Sequence, residues 1–448
     1  MERLRLLEKL LEELMYVLAL GPRKGSVRAA AVLALSLAFM LPPVSVYAQP
    51  SGSPTKGDER EPIKIGFVTT LTGPSGVGGK VMVDGIKLYL ERINHRMAGR
   101  AVKLIVENDG GSPATAIEKL RKLVEEDKVQ VADGFMLSNL AYAVAPWADR
   151  LRVPTVFCTT GADDLTKRNR HQWVVRTGWC SSQCSQPFGE WAYKALHYRR
   201  IVTFGLDFPL GWELVGGFQK TFEDAGGKVV QKIWAPLGFV DFSSYIKSIR
   251  PDADAVLLAT ALTPAEIIPK QYKEFGPKLP VIAVGPSCDE SSIKNLGDEV
   301  LGTVSTMYYS AALNTPANKR FVQSYEQMTH DRCCHYAETA YTSGMWIHQA
   351  VDALKGHVDD REKFLAALKR VQLTSAPRGP VKLDGYGNPI ENYYVCKAER
   401  VDGMIQNSVI HTFADVSQFW KYNPEEYLKQ PPYDRSYPPC RYCQTNSP

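Results

Sequence analysis

The chain has 448 residues, with 53 Lys and Arg against 48 Asp and Glu, a formal net charge of +5. That excess is too small and too evenly spread to mark a nucleic-acid binder. No apolar run reaches the roughly 20 residues that a membrane-spanning helix requires, and at this length one core is too few, so at least two lobes are expected.

The first 48 residues stand apart. Arg23, Lys24 and Arg28 precede the twelve-residue apolar run Ala29–Met40, and Val46-Tyr47-Ala48 supplies small residues for processing. This is the pattern of a secretory signal peptide cut after Ala48, which implies an exported protein. Met1–Leu20 is an odd extension to such a leader and suggests initiation nearer Met15. The leader carries six basic and four acidic residues, which leaves about +3 on the mature chain. Gln49–Glu61, polar and rich in Pro, Gly and Ser, reads as a flexible lead-in.

Ile63–Asn94 organises the rest of the chain. Ile63, Ile65 and Phe67 alternate as in a strand. A Gly-rich turn, Thr69–Gly76, comes next, and then Met82, Ile86, Tyr89, Leu90 and Ile93 set one apolar stripe on a helix. Strand, turn and helix make the first half of a βαβ unit, and ligands bind beyond the carboxyl ends of such strands. The turn is not a phosphate loop: Pro74 stands where the first glycine belongs, and Val81 stands where a hydroxyl would reach magnesium. The dinucleotide pattern fails as well, at Val81.

Strands are expected at Ala101–Glu107, Val129–Phe135, Pro154–Cys158, Arg200–Leu206, Lys228–Ala235, Ala255–Ala259, Pro280–Val284 and Gly302–Tyr308, with helices between them. Ser112-Pro113 opens one such helix. Repeated β-then-α order implies parallel sheets covered on both faces. The order breaks near Thr177-Gly178-Trp179, which reads as a lobe crossover. Pro316–Thr329, Tyr336–Leu354 and Arg361–Val371 are helical by periodicity; Arg378–Asn388 follows as a short strand ending in turn chemistry, and a further strand is expected at Tyr393–Lys397. The tail from Phe413, with Phe419, Trp420, Tyr422 and Tyr437 among prolines, is expected to lie along a surface.

Several short motifs recur in a telling order: IKIGFVTTLTGPSGVGGKVMVDG, Val106-Glu107-Asn108-Asp109, Leu137-Ser138-Asn139, Thr159-Thr160-Gly161, Asp207 with Gly211-Trp212, Asp241-Phe242-Ser243 and Arg378-Gly379-Pro380-Val381. Over Pro62–Lys397 the chain resembles the branched-chain amino-acid-type solute-binding proteins of ABC importers. The resemblance implies an α/β fold of type I periplasmic binding proteins: two doubly wound parallel-sheet lobes joined by three crossovers. It implies one lobe from 62–177 and 309–391, a second from 178–308 and 392–412, and a Cys/Pro/aromatic-rich tail at 413–448. The implied partners are a small-molecule carboxylate and the inner-membrane permease subunits of the importer. No cofactor, metal, nucleic acid or direct membrane insertion is expected.

Ser138 and Asn139, and the turn Thr159-Thr160-Gly161, follow strands on their carboxyl side. They offer hydroxyls and backbone N–H groups without a basic side chain, which suits a carboxylate, and the resemblance implies that they hold one. The competing role is a Ser or Thr capping its own helix. Where the family's amino-acid binders carry a Glu for the ligand ammonium, this chain has Ser287 after Gly285-Pro286. Aromatic positions of the family fall on Leu210, near Leu262 and on Gly78, which implies a roomier, more apolar wall. Asp289 would replace the Glu only if its loop shifts. A buried ammonium without a counter-charge is heavily penalised, so a simple α-amino acid is disfavoured. The resemblance, through relatives that lack the Glu, implies an aromatic or other organic acid as the expected ligand. An amino-acid or amide binder of the same family is the alternative. A ligand sensor of the same fold comes next, and an exported hydrolase last, since neither GxSxG nor HExxH occurs.

Nine cysteines in an exported chain suggest disulfides and an odd thiol. Cys180/Cys184, Cys333/Cys334 and Cys440/Cys443 cluster without fixing a connectivity. Cys158 and Cys288 are expected as buried thiols, and Asp331–His335 lacks the second ligand pair of a metal site.

Overall fold

The computed structural model describes residues 60–443. The signal peptide with its cleavage after Ala48, and nearly all of the lead-in, lie outside the described residues.

The first lobe opens with β1 (Ile63–Thr69), α1 (Gly76–Arg92), β2 (Arg96–Met97), β3 (Arg100–Asn108) and α2 (Pro113–Glu125). It continues through β4 (Val131–Gly134), α3 (Ser138–Leu151), β5 (Thr155–Phe157) and β6 (Val174–Arg176). The chain then crosses into α4 (Ser181–Lys194), β7 (Arg200–Leu206), α5 (Pro209–Asp224), β8 (Lys228–Ala235), α6 (Ser243–Lys247) and β9 (Ala255–Ala259). After these come α7 (Leu262–Phe275), β10 (Val281–Val284), α8 (Glu290–Ile293) and β11 (Val304–Met307). Three helices return, α9 (Pro316–Thr329), α10 (His335–Ala353) and α11 (Arg361–Leu368), with α10 packed along α1. The chain closes with β12 (Gln372–Ala376), β13 (Gly379–Leu383), β14 (Pro389–Val401), β15 (Met404–Val416) and α12 (Pro424–Leu428).

Two sheets result. The first runs β2-β3-β1-β4-β5-β6, parallel except for the β2–β3 pair. The second holds nine strands in the order β12-β13-β14-β11-β10-β9-β7-β8, with β15 on β14. Strand β1 is central and buried on both faces, because helices cover the parallel sheet on each side. The alternation seen in the sequence is therefore only half of its pattern. Two expectations need correcting. The hairpin β12–β13 falls within 309–391, assigned above to the first lobe, but it hydrogen-bonds into the second sheet through β14. Phe413 belongs to β15, whose pairing with β14 adds an antiparallel edge to that sheet.

The lobes are joined after β6, after β11 and after α11, and one side chain ties these connections together. Arg378 is fully buried. Its guanidinium lies 3.3 Å from Glu338 of α10 and 3.1 Å from Glu391 of β14, and it donates to the Thr177 carbonyl at 2.8 Å. It also stands 4.8 Å from the centroid of the Tyr308 ring. Thr177 lies in the first crossover and Tyr308 in the second. One buried cation thus lies between two buried carboxyl groups where the crossovers meet.

Candidate ligand-binding cleft

The carboxyl ends of strands from both sheets face one cavity. Met136, Leu137 and Ser138 follow β4, and Thr159 and Gly161 follow β5. Phe208 and Leu210 follow β7, Ala261 and Leu262 follow β9, Pro286 follows β10, and His335 and Tyr336 open α10. Trp179 of the first crossover forms part of the wall. Among the described residues, neither Lys, Arg, Asp nor Glu lines it.

Four helices begin at this cavity, and their N-cap residues are Leu137, Phe208, Ala261 and Cys334, none of which makes a side-chain cap. The helices with side-chain caps, from Ser112, Thr315, Asp360 and Asn423, contribute nothing to the cavity. An uncapped N-terminus leaves backbone N–H groups unpaired and carries partial positive charge. Four of them around one apolar space make it hospitable to an anion without a cationic side chain. Leu262 reaches the space from a left-handed backbone, φ +58°, a conformation that costs a non-glycine residue of order 1–3 kcal/mol and collects at functional sites.

The expected site residues divide. Ser138, Thr159, Gly161, Leu210 and Leu262 line the cavity. The Ser138 hydroxyl does not cap α3; it accepts a long bond of 3.5 Å from Thr160 Oγ1. Thr160 itself is buried behind the wall and accepts from the Ala162 N–H at 3.3 Å, which shapes the turn. The Thr159 hydroxyl faces the Met82 sulfur at 3.5 Å, while its carbonyl accepts from Trp179 Nε1 at 2.7 Å. Asn139 is exposed on α3 and does not line the cavity, because the helix turns its second residue outward.

Ser287 also differs from its expected place. Its hydroxyl accepts from the Thr260 N–H at 2.7 Å and donates to the Val284 carbonyl at 2.7 Å, stapling two loops behind the wall. Ser287→Ala would leave the buried Thr260 N–H unpaired, so it should cost about 1–3 kcal/mol of stability with little change in ligand affinity. Unfolding and titration of the same preparation check this; unchanged stability with a large loss of affinity would return Ser287 to the ligand.

Asp289 is no free counter-charge. It is buried and bonds the His335 ring at Nδ1, while Ser291 donates to it at 2.6 Å. Burial alone would raise its carboxyl, but His335 and Ser291 hold it below the usual carboxylate range. His335 comes from the returning helix α10, so the pair spans the two lobes.

The sequence reading missed Met136, Trp179, Phe208, Pro286, His335 and Tyr336. Of these, Tyr336 explains the missing aromatic at Gly78: a Cβ there would lie 3.0 Å from the Met136 sulfur and 3.5 Å from the Tyr336 ring. The aromatic is supplied from elsewhere in the chain. The expected extra room is absent for the same reason, since Trp179, Phe208 and Tyr336 leave a cavity of about 30 Å³.

The family profile described as "Periplasmic binding protein" matches residues 62–403. The chain belongs to the periplasmic binding protein family. An ABC transporter substrate-binding protein from Sphaerobacter thermophilus is similar, at 33% identity and a TM-score of 0.76, over 80% of this chain and 99% of that one. A solute-binding protein of an ABC transporter from Rhodopseudomonas palustris BisB5, in complex with 3,4-dihydroxybenzoic acid, is similar at 28% identity and a TM-score of 0.76, over 80% and 99% of the two chains. A "Leu/Ile/Val-binding protein homolog 6" from Brucella suis is 27% identical over 364 residues, 78% of this chain and 91% of that one. This periplasmic binding protein is of the ABC substrate-binding type, a class that takes a small molecule and works with a permease. No helix among the described residues is long and apolar enough to cross a membrane.

Proposed function

We propose that this protein is the periplasmic receptor of an ABC importer for a small carboxylate, with an aromatic or other apolar organic acid as its ligand. The observation that carries the reading is the convergence of four uncapped helix N-termini and the Ser138 hydroxyl on a largely apolar cavity that, among the described residues, has no Lys, Arg, Asp or Glu in its lining. Those donors suit a carboxylate. The apolar remainder suits a hydrocarbon body. An α-ammonium would find no carboxylate in the lining, because Asp289 stands behind it and is paired with His335. The dihydroxybenzoate held by the Rhodopseudomonas neighbour supports the same ligand class. The leader read at residues 1–48 supports the periplasmic placement.

Uptake would proceed by hinge motion. A void of about 30 Å³ is room for about one water, whereas benzene fits a cavity of about 150 Å³. The lobes must part about the Arg378 hinge to admit a ring and then close on it.

Calorimetric titration with a matched pair tests the ligand class. Phenylpropionate should bind more tightly than phenylalanine by at least about 1.4 kcal/mol, a factor of about ten. Tighter binding of phenylalanine, or of leucine as the Brucella relative's name suggests, would overturn the reading and make Asp289 the counter-charge.

A further inference from the structure

The tail from residue 417 to residue 443 crosses the junction of the lobes. Arg168 of the first lobe donates to the Gln430 carbonyl at 2.9 Å and the Tyr427 carbonyl at 3.2 Å. Tyr433 packs on α5 at Gly216, where a Cβ would come within 2.5 Å of its ring. Between lobes and tail lies a second cavity, of about 230 Å³, walled by Tyr142, Asp163 and Asp164, by Trp212 and Glu213, and by Tyr433 and Asp434. Helix α5 separates it from the ligand cleft: Leu210 lines the cleft, whereas Trp212 and Glu213 line this space.

Its carboxylates are not alike. Asp163 accepts from Lys167 at 2.8 Å and from the Ser182 N–H at 3.0 Å, and Asp164 accepts from Arg168 at 2.8 Å. Asp434 accepts from the backbone of its own turn at Ser436 and Tyr437. Glu213 is different. It is 3% exposed, and its Oε1 accepts from the Tyr142 hydroxyl at 2.8 Å and the Asp163 N–H at 3.1 Å. Its Oε2 is buried and has no hydrogen-bond partner among the described residues. An unpaired buried carboxylate oxygen is costly, and a donor that reaches it gains accordingly.

We propose that this junction cavity binds a small primary ammonium ion, which donates to Glu213 Oε2 and lies among the rings of Tyr142, Trp212 and Tyr433. Aromatic faces attract organic cations. A divalent metal ion would need several convergent oxygens, and among the described residues no group of three or more acidic, His or Cys side chains is placed to hold one. A quaternary ammonium has no N–H to donate.

The site also carries a proton balance. Burial, and then the Asp163 charge, push the Glu213 carboxyl well above its usual range. The groups that face it are Tyr142 on α3, Asp163, Asp164, Lys167 and Arg168 on the segment after β5, and Tyr433 and Asp434 on the tail. Bringing an ammonium to Glu213 ionises the carboxyl and releases its proton to solvent. Because the walls come from both lobes, the bound amine favours the arrangement in which they meet. By linkage it should tighten the acid in the cleft by the same factor as the acid tightens the amine.

Calorimetric titration of the full chain with methylammonium chloride and with 1,4-diaminobutane tests this, with sodium chloride and tetramethylammonium chloride as controls at equal ionic strength. A saturable heat is expected for the two amines alone, with a magnitude that changes with the ionisation enthalpy of the buffer. Glu213→Gln should weaken amine binding by at least about tenfold while leaving 4-hydroxybenzoate binding, measured without amine, unchanged. Should that variant fail to fold, Trp212→Leu should show the same selective loss. No saturable response to either amine, an equal response to tetramethylammonium, or undiminished binding by both variants would overturn the proposal.

Discussion

Arg378→Met should destabilise the protein by about 3–5 kcal/mol, the cost of removing one partner from a buried ion cluster. The guanidinium is fully buried and faces Glu338 and Glu391, which are equally inaccessible. Methionine fills a similar volume but leaves two carboxyls without a counter-charge in a dry interior. The wild-type cluster already holds one cation against two acids. Burial, only partly offset by Arg378, pushes the Glu391 carboxyl up to about 8 from its ordinary 4.5. A raised carboxyl binds its proton more tightly in the folded state. Its contribution to stability is therefore complete below about pH 4.5 and is lost as pH rises toward 8. In Arg378→Met both carboxyls must stay protonated, so stability should fall more steeply over that window than in wild type. Urea unfolding at pH 5 and pH 8 measures both effects. A loss below about 1 kcal/mol, the range of exposed ion pairs, would show that the cluster is hydrated and that the crossovers are held by other contacts.

The second large effect is on binding. Ser138→Ala removes a hydrogen bond to an ionised group and should weaken binding of an aromatic acid by about 1.5–3 kcal/mol, roughly ten- to hundredfold. Ligand-free stability should barely move, because the Ser138 hydroxyl makes no helix cap and only a 3.5 Å contact with Thr160. Titration and thermal unfolding of the same variant separate the two. Unaltered affinity with a large loss of ligand-free stability would make Ser138 a structural residue.

Much of this architecture was legible in the chain. Arg200–Leu206 and Ala255–Ala259 are delimited correctly, because covered parallel strands are short apolar runs bounded by turn residues. The edge strand Lys228–Ala235 is also delimited correctly, although it is only partly buried. Strand β15 escaped because only Ile405, Asn407 and Val416 are buried along it, while the apolar Met404 and Ile410 are exposed among polar residues, so apolar character does not track the buried face. The pattern is too weak to read without the partner strand. Strand β6 is only three residues long and carries Arg176.

The cleft was half legible. Turns after β4 and β5 are local features, so Ser138, Thr159 and Gly161 could be placed from strand order alone. His335 and Tyr336 could not, since they reach the cleft only when α10 returns to pack against α1, far along the sequence. Ser287 was misplaced for the opposite reason. Its position after Gly285-Pro286 is correct, but a hydroxyl short enough to bond the chain at Thr260 and Val284 does so. A longer carboxylate at the same point would have to reach past the backbone.

The central claim is that the two lobes close on an aromatic carboxylate and do so in preference to an amino acid. Small-angle scattering, with 4-hydroxybenzoate and separately with leucine at equal concentration, tests it most directly. The radius of gyration should fall on adding 4-hydroxybenzoate and stay at its ligand-free value with leucine. A fall with leucine and an unchanged profile at saturating 4-hydroxybenzoate would contradict the account.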